Sequence, residues 1–535
     1  MIPQTIPKLC GGDVELCNFF SPAESPDGTG SRAALALLKK IDGVSGNGGA
    51  RWESDGSNYW SERSADDDRF NAQDQLRTFL PANGGCAYID LNHLEICLPE
   101  VLSARDHVAA WRGMLQIAAR AQAAVNAELP QGQKVHVLAN NSDGRGNSFG
   151  SHLNFLITRQ AWESIFHRRL QYLLFIAAYQ ASSIVFTGQG KVGSEGENGA
   201  ACDYQISQRA DFIEVLMGIQ TTYNRPLVNS RDEPLCGSQR TESGMARLHV
   251  IFYDSNLCDV AGYLKVGVMQ IILTMIEAGR VKADLILEDP VEAVRAWSRD
   301  PGLNARAALV SGMEVTAVEL QLIFLEEAKA FVDAGHCEGI VPEADKIVQL
   351  WEDTLAKLKV RDFGTLVRRL DWVLKRSILE RAMTKRSDLS WESPEIKHLD
   401  HWYSSLDGGL YLAFEKAGAT ERLVCDADIE RFASEPPDDT RAWVRSRLLR
   451  LAGPDQVEKV DWDSVTVRLP GQWPRRKIVG LANPLNFTKA KFQHLENATI
   501  EVALECLDAQ PVPFEVPPRP VFSPRPPLRY RTHIP

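Results

Sequence analysis

The sequence predicts an α+β fold: a sheet backed by helices, divided into one large domain and one smaller one. Three observations predict it. At 535 residues the chain exceeds a typical single domain. Stretches that alternate apolar and polar residues, such as Cys86–Leu91, stand apart from long stretches with helical spacing, such as Val101–Leu129. The cluster Glu435-Pro-Pro-Asp-Asp reads as a junction ahead of a shorter C-terminal part. Residues 1–434 are expected to form the large domain, with a polar insertion at about 42–74, residues 435–509 the small one, and residues 510–535 a tail.

Hydrophobic residues make up 44% and charged ones 24%, an ordinary balance for a globular protein in water. A formal net charge of −11 argues against a general nucleic-acid binder. The ten cysteines are scattered, with neither a CxxC pair nor a Cys/His cluster at zinc spacing, and suit the reduced thiols of a cytoplasmic enzyme. The start MIPQTIPKLCGGD lacks a signal-peptide pattern, and no uninterrupted apolar run approaches the roughly 20 residues that span a bilayer. No membrane and no nucleic-acid partner is expected.

Taken in order, Lys8–Asn18 is a short strand. Asp13 and Glu15, two apart, share a face. Two carboxylates aimed at one point repel unless a cation lies between them, and hard oxygen ligands suit Mg²⁺; a polar outer face of the strand is the alternative. A helical pattern over Ser31–Ile41 precedes the polar run Asp42–Asp74, which is either a lid over a site or a surface insertion.

The stretch Asn83–Glu100 is where chemistry is expected. After Gly84-Gly85, the residues Ala87, Ile89 and Leu91 face one way and Tyr88, Asp90 and Asn92 the other. Continued alternation would put Glu95 opposite Asp90, so a common site requires a bulge or bend near Asn92 and His93. An edge strand with solvated acids is the competing explanation.

Val101–Leu129, rich in alanine, is a helix packed on the sheet. Val135–Asn141 is a strand running into the turn Ser142–Gly146, and Asn147–Ile157, with His152 and Asn154, has the polar density of a ligand-facing loop. Thr187–Gly193 (TGQGKVG) fails the spacing of a phosphate-binding P-loop. Arg209 and Arg231 could fork onto phosphate oxygens or pair with Asp211, Asp232 or Glu233; the residues alone favour the salt bridges. Arg247–Asn256 is another strand. Helical stretches follow at Leu264–Ala278, Thr316–Ala334, Glu343–Leu358 and Asp362–Lys385. Beyond the junction, Thr440–Leu451 is an arginine-rich helix and Val460–Leu469 a strand, whose Trp462 is either core or a surface on which a base can stack. The last 26 residues hold nine prolines and are expected to be extended.

In this order, GGDVEL, NGGCAYIDLNHLEICLPE, NNSDGRGNSFGSHLNFL, TGQGKVG, ISQRADFIE, NSRDEP and RLHVIFYDSN resemble the family of the Pup ligase and the Pup deamidase/depupylase, across roughly residues 7–490. The resemblance implies a glutamine-synthetase-like fold, with a curved, mostly antiparallel sheet that cradles ATP and Mg²⁺ and a small C-terminal domain. It also implies a partner, the C-terminal Gln or Glu of Pup, a prokaryotic ubiquitin-like protein, and with it a proteasome-linked pathway. Position by position, Asp90 matches the catalytic aspartate; Asp13, Tyr88 and Glu95 match metal-binding positions, which Glu15 and His249 join. Arg209, Arg231, His152, Asn154 and Trp462 fall on the nucleotide side.

The spacing Asp90-Leu-Asn-His93-Leu-Glu95 resembles the deamidase/depupylase branch, whereas the ligase places one more residue between the acids. An ATP- and Mg²⁺-dependent amidohydrolase is therefore the expected activity, an ATP-dependent ligase the first alternative and a nucleotide-binding, non-catalytic protein the second. Four positions depart from the family pattern. Asp13 replaces the usual Glu, Cys86 stands where an arginine contacts ATP, Leu98 replaces a small hydroxyl residue, and Leu153 interrupts His-Glu-Asn.

Overall fold

A computed structural model of the chain describes residues 5–22, 29–45, 77–196, 200–233, 244–469, 471 and 475–511. Most of the polar run, with its expected role as a lid, and nearly all of the Pro-rich tail lie outside the described residues.

The main sheet is built from β1 (Cys10–Ser21), β2 (Val44–Ser45), β3 (Thr78–Phe79), β4 (Cys86–Asp90), β5 (His93–Cys97), β6 (Lys134–Leu138), β7 (Ser151–Thr158) and β8 (Met245–Val250). The order is β8-β7-β1-β5-β4-β3-β2, antiparallel throughout. β1 is longer than its alternation suggested, and its halves serve different neighbours: Cys10–Val14 pair with β7 and Cys17–Ser21 with β6.

Among the helices are α1 (Thr29–Leu38), α2 (Ala104–Glu128), α3 (Leu170–Thr187), α4 (Asp259–Glu277), α5 (Ala317–Asp333), α6 (Ala344–Lys359), α7 (Asp371–Lys385) and α8 (Ala442–Gln456). Ser103 caps α2 by accepting a hydrogen bond from the Asp106 amide. The small residues Ala109 and Ala110 of α2 let it sit close on the sheet, in one buried cluster with Val14, Leu16, Ala87, Ile89, Leu94 and Ile96. Every second residue of β1, β4 and β5 thus meets the helices, which leaves the intervening residues for the other face.

α3 and α4 are long and apolar enough to cross a membrane by length and composition alone, but polar residues interrupt both and both are buried inside the protein. Two sequence expectations change. The helix expected over Asp362–Lys385 is broken into Phe363–Leu366 and α7. Leu370, wholly buried in an extended conformation at the break, overrides helical propensity there. The stretch Val460–Leu469 is a hairpin rather than a strand: β9 (Val457–Asp461) turns at Trp462-Asp463 into β10 (Ser464–Arg468).

With β11 (Arg476–Gly480) and β12 (Gln510–Pro511), this hairpin forms a second antiparallel sheet. Its core, including Trp443, Leu448, Val465, Val467 and Val479, is continuous with Phe79, Cys86, Tyr88 and Cys97 on the main sheet's other face. Gly84 permits that docking. It holds φ +75°, and a Cβ there would lie 2.6 Å from the Ala442 carbonyl oxygen.

Candidate active site

The stretch expected to bend at Asn92 and His93 is a two-residue hairpin. Asp90 pairs with His93, Ile89 with Leu94, Tyr88 with Glu95 and Cys86 with Cys97, while Leu91 turns at φ +49°. No bulge is needed, because residues directly opposite in an antiparallel pair share a face. Leu91, expected on the buried face, is instead 62% exposed at the turn.

Register carries this face across the sheet. Glu95 pairs with Glu15, giving a row Tyr88–Glu95–Glu15, whose last member meets Gly150. A second row runs Cys86–Cys97–Asp13–His152, and Asn154 pairs with His249 in a third. The result is one cavity of about 1780 Å³, larger than most small-ligand sites. All eleven residues singled out in the sequence line it: Asp13, Glu15, Tyr88, Asp90, Glu95, His152, Asn154, Arg209, Arg231, His249 and Trp462.

At its centre one carboxylate oxygen each from Glu15, Asp90 and Glu95 lie within 4.8 Å of one another. Burial, then the negative charges of Asp13, Glu15 and Asp90, push the Glu95 carboxyl well above its ordinary range, against the hydrogen bond it accepts from Tyr88. Such a cluster is relieved by a cation. Asp13 Oδ1, buried, has no aligned hydrogen-bond donor among the described residues, although His152 Nδ1 lies 2.7 Å away. A Cβ on Gly150 would lie 2.3 Å from His152 Nε2 and 2.9 Å from Glu15 Oε1, so this glycine keeps open the space between them. Oxygen donors, an unsatisfied carboxylate oxygen and the space between them fit a hard divalent cation.

His249 Nδ1 lies 2.8 Å from Asn154 Oδ1, which also accepts from Arg247 at 2.6 Å. Burial, with the charges of Arg247, His152 and Arg231, pushes His249 well below the ordinary imidazole range and keeps it neutral. Arg209 forms no salt bridge with Asp211, contrary to the residue-level expectation; Asp211 is held by Lys191 and Arg299. The Arg209 guanidinium donates to the carbonyls of Phe149 and Ile251, and burial beside Arg225 lowers it to about 9. Arg231 lies 3.5 Å from Glu233, as the salt-bridge expectation had it.

Trp462 closes the opposite end, edge-on to Phe79 at 5.5 Å and under the Arg445 guanidinium at 4.8 Å. A group absent from the sequence reading holds it there. Glu100 accepts from Arg441 Nε at 2.7 Å and Arg445 Nη2 at 2.6 Å, while Arg445 also donates to the carbonyls of Gly84 at 2.9 Å and Trp462 at 3.0 Å. Burial alone would raise the Glu100 carboxyl, and the two guanidinium groups outweigh it, leaving about 2. No local sequence signal marks this clamp, because its partners lie more than 340 residues apart in the chain. Arg225 and Arg77, also in the cavity wall, were likewise not singled out.

A family profile described as Pup-ligase protein matches residues 41–466. A depupylase of Acidothermus cellulolyticus is 37% identical over 78% of this chain and 80% of its own length. A Pup deamidase/depupylase of Mycolicibacterium smegmatis is 34% identical over 87% and 92%. The Pup ligase PafA shares the fold. Its complex with Pup aligns at TM-score 0.74 and 22% identity over 93% of this chain and 92% of that one, and its complex with ADP at 0.68 and 24% over 85% and 98%.

Proposed function

The chain belongs to the Pup-ligase protein family, and from that footing we propose that it is a depupylase/deamidase. In this role it is an ATP- and Mg²⁺-dependent hydrolase that cleaves the side-chain amide or isopeptide bond at the C-terminal Gln or Glu of a Pup-like protein. The observation that carries the proposal is the hairpin geometry, which sets Asp90 on the same face as Tyr88 and Glu95 and within 4.8 Å of the Glu15 and Glu95 carboxylates. The depupylase and deamidase names of relatives at 37% and 34% identity support the hydrolytic direction, and the ADP complex of a ligase with the same fold supports a nucleotide in the cavity.

In this assignment Asp90 attacks the carbonyl carbon or takes the proton from the water that does. The C–N bond breaks, the leaving nitrogen departs protonated as ammonia or as a lysine amine, and water supplies that proton and the product carboxyl's hydroxyl, either directly or by hydrolysing the acyl–Asp90 anhydride. Asp13, Glu15 and Glu95 are the oxygen donors that would hold Mg²⁺, with neutral His249 and Tyr88 beside them. Bound Mg²⁺ supplies positive charge for the phosphates and for the oxygen on which negative charge develops. Arg209, Arg231, His152 and Asn154 face the phosphate side and Trp462 the base. Residues 1–434 serve as catalytic domain, and residues 435–509 as a small domain that brings Trp462 over it. We place the activity in the cytoplasm, in keeping with cysteines that are all unpaired among the described residues.

Incubation with ATP, Mg²⁺ and a Pup-like peptide ending in Gln, or its lysine conjugate, is expected to release ammonia or free lysine. Conjugate formation from a peptide ending in Glu, with release of ADP, would assign the ligase activity instead. Gly150→Ala is expected to weaken Mg²⁺ activation by about tenfold while leaving the melting temperature within a few degrees, since the atoms nearest the added carbon are side-chain atoms of His152 and Glu15. An unchanged Mg²⁺ dependence would remove this glycine and its neighbours from the metal site.

A further inference from the structure

The hairpin that carries Asp90 also carries a histidine outside the catalytic and metal assignments. His93 pairs directly with Asp90 across the two-residue turn, so their Cβ atoms stand about 4.5–5.5 Å apart on one face. Its placement is fixed from three sides. The Asn18 side chain on β1 donates to the Asn92 carbonyl at 3.0 Å and accepts from the Leu94 amide at 2.7 Å, which pins the backbone on both sides of His93. His93 Nδ1 lies 3.0 Å from the Leu16 carbonyl oxygen. The imidazole stacks on Phe149 with ring centroids 4.3 Å apart, and Phe149 is itself held by Asn141 and Arg209, both of which donate to its carbonyl.

A carbonyl oxygen can only accept, so the hydrogen of the neutral ring is on Nδ1 and Nε2 carries a lone pair. Nε2 is at the edge of the ring away from Leu16, and His93 lines the cavity. Among the described residues the cluster able to hold a cation is Glu15, Asp90 and Glu95, and His93 stands outside it.

We propose that His93 Nε2 accepts the N–H of the leaving nitrogen and so turns that nitrogen toward Asp90. The inference rests on the hydrolytic reading of this site and deepens it. In a planar amide the nitrogen lone pair is conjugated with the carbonyl; once the carbonyl carbon is tetrahedral, the lone pair is localised on nitrogen. An N–H held by His93 on one side leaves that lone pair facing the carboxyl opposite. With water as the attacking group, its O–C bond forms as Asp90 takes its proton, and the same proton passes to the nitrogen as the C–N bond breaks. His93 neither gains nor loses a proton. Both leaving groups fit, because a side-chain amide has two N–H bonds and an isopeptide has one. A free carboxylate offers the Nε2 lone pair no hydrogen, so the same group favours an amide over an acid in this position.

Steady-state cleavage by the full chain, with ATP and Mg²⁺, of a Pup-like peptide ending in Gln and of the same peptide ending in the γ-ethyl ester of Glu tests the assignment. The ester's leaving oxygen has no N–H to be held. His93→Asn keeps a donor near the Nδ1 position for Leu16 but lacks the outer acceptor, whereas His93→Gln carries an acceptor oxygen out to the Nε2 position. His93→Asn is expected to lower kcat on the amide by about tenfold or more and on the ester by no more than about twofold, and His93→Gln to recover part of the amide rate. Amide turnover within about twofold of wild type in His93→Asn overturns the proposal. An equal loss on amide and ester also overturns it, because the ring would then be a prop for the hairpin. Wild-type protein that cleaves neither substrate removes the hydrolytic reading itself.

Discussion

Asp90→Asn is expected to lower turnover by about a thousandfold or more, with nucleotide affinity kept within a few-fold of wild type. The carboxamide has nearly the volume and shape of the carboxylate, so the hairpin and its cross-strand contacts survive. What it lacks is the negative charge that attacks a carbonyl or accepts a proton. Asp90 is at the end of β4, where the side chain is only partly buried, whereas Glu15 and Glu95 are buried deeper in the cluster. Depth divides the labour: the two deeper acids suit a resident cation, the shallower one a substrate arriving from the mouth. Removing one of three acidic groups also eases their mutual repulsion, which further protects the fold and the nucleotide site. The check is steady-state cleavage of a Pup-like substrate alongside ATP titration of the same preparation. A variant that cleaves as fast as wild type would assign the chemistry to another residue. Wild-type protein that binds ATP and the peptide without cleaving either amide or isopeptide would make this chain a binding member of its family.

Local chemistry marked candidates, such as acids two apart on a strand, a Gly-Gly turn and dense polar loops, whereas the roles expected of Asp90, Glu95, His249, Arg209, Arg231 and Trp462 came from the family resemblance. Their meeting point could not be read locally, because it depends on register. Tyr88, Glu95 and Glu15 come together through pairings that join β4 to β5 and β5 to β1. Both hairpins were read as single strands for one physical reason. Each turns through a large apolar or aromatic residue, Leu91 or Trp462, that preserves the two-residue alternation and gives none of the Gly or Asn-Gly signal of a tight turn. The same alternation explains why one departure from the family pattern is mild. Leu153 lies between His152 and Asn154 and therefore faces the helices, where it is fully buried in the core. Leu98 differs, because it lines the cavity beside Gly12.

Glu100→Gln is expected to destabilise the protein by about 3–5 kcal/mol near neutral pH, the scale for breaking a buried ion pair from one side. Two guanidinium groups, both almost wholly buried, would lose their counter-charge at once. The sign with pH follows from the carboxyl's folded value of about 2, below its ordinary 4.5. A depressed carboxyl contributes its full stabilisation, about 3 kcal/mol, above the ordinary value, and loses it as the pH falls toward the folded one. The gap between wild type and Glu100→Gln in urea denaturation should therefore be widest at pH 6–7 and shrink from about pH 5 down to about pH 2. A gap that stays constant over that range would show that the glutamate acts through shape and not charge. ATP affinity should fall in the same variant although Glu100 is not assigned to the nucleotide. Arg445 bridges Glu100, the Gly84 carbonyl and the Trp462 carbonyl, so loosening it frees the aromatic wall of the cavity from the sheet that carries the acids.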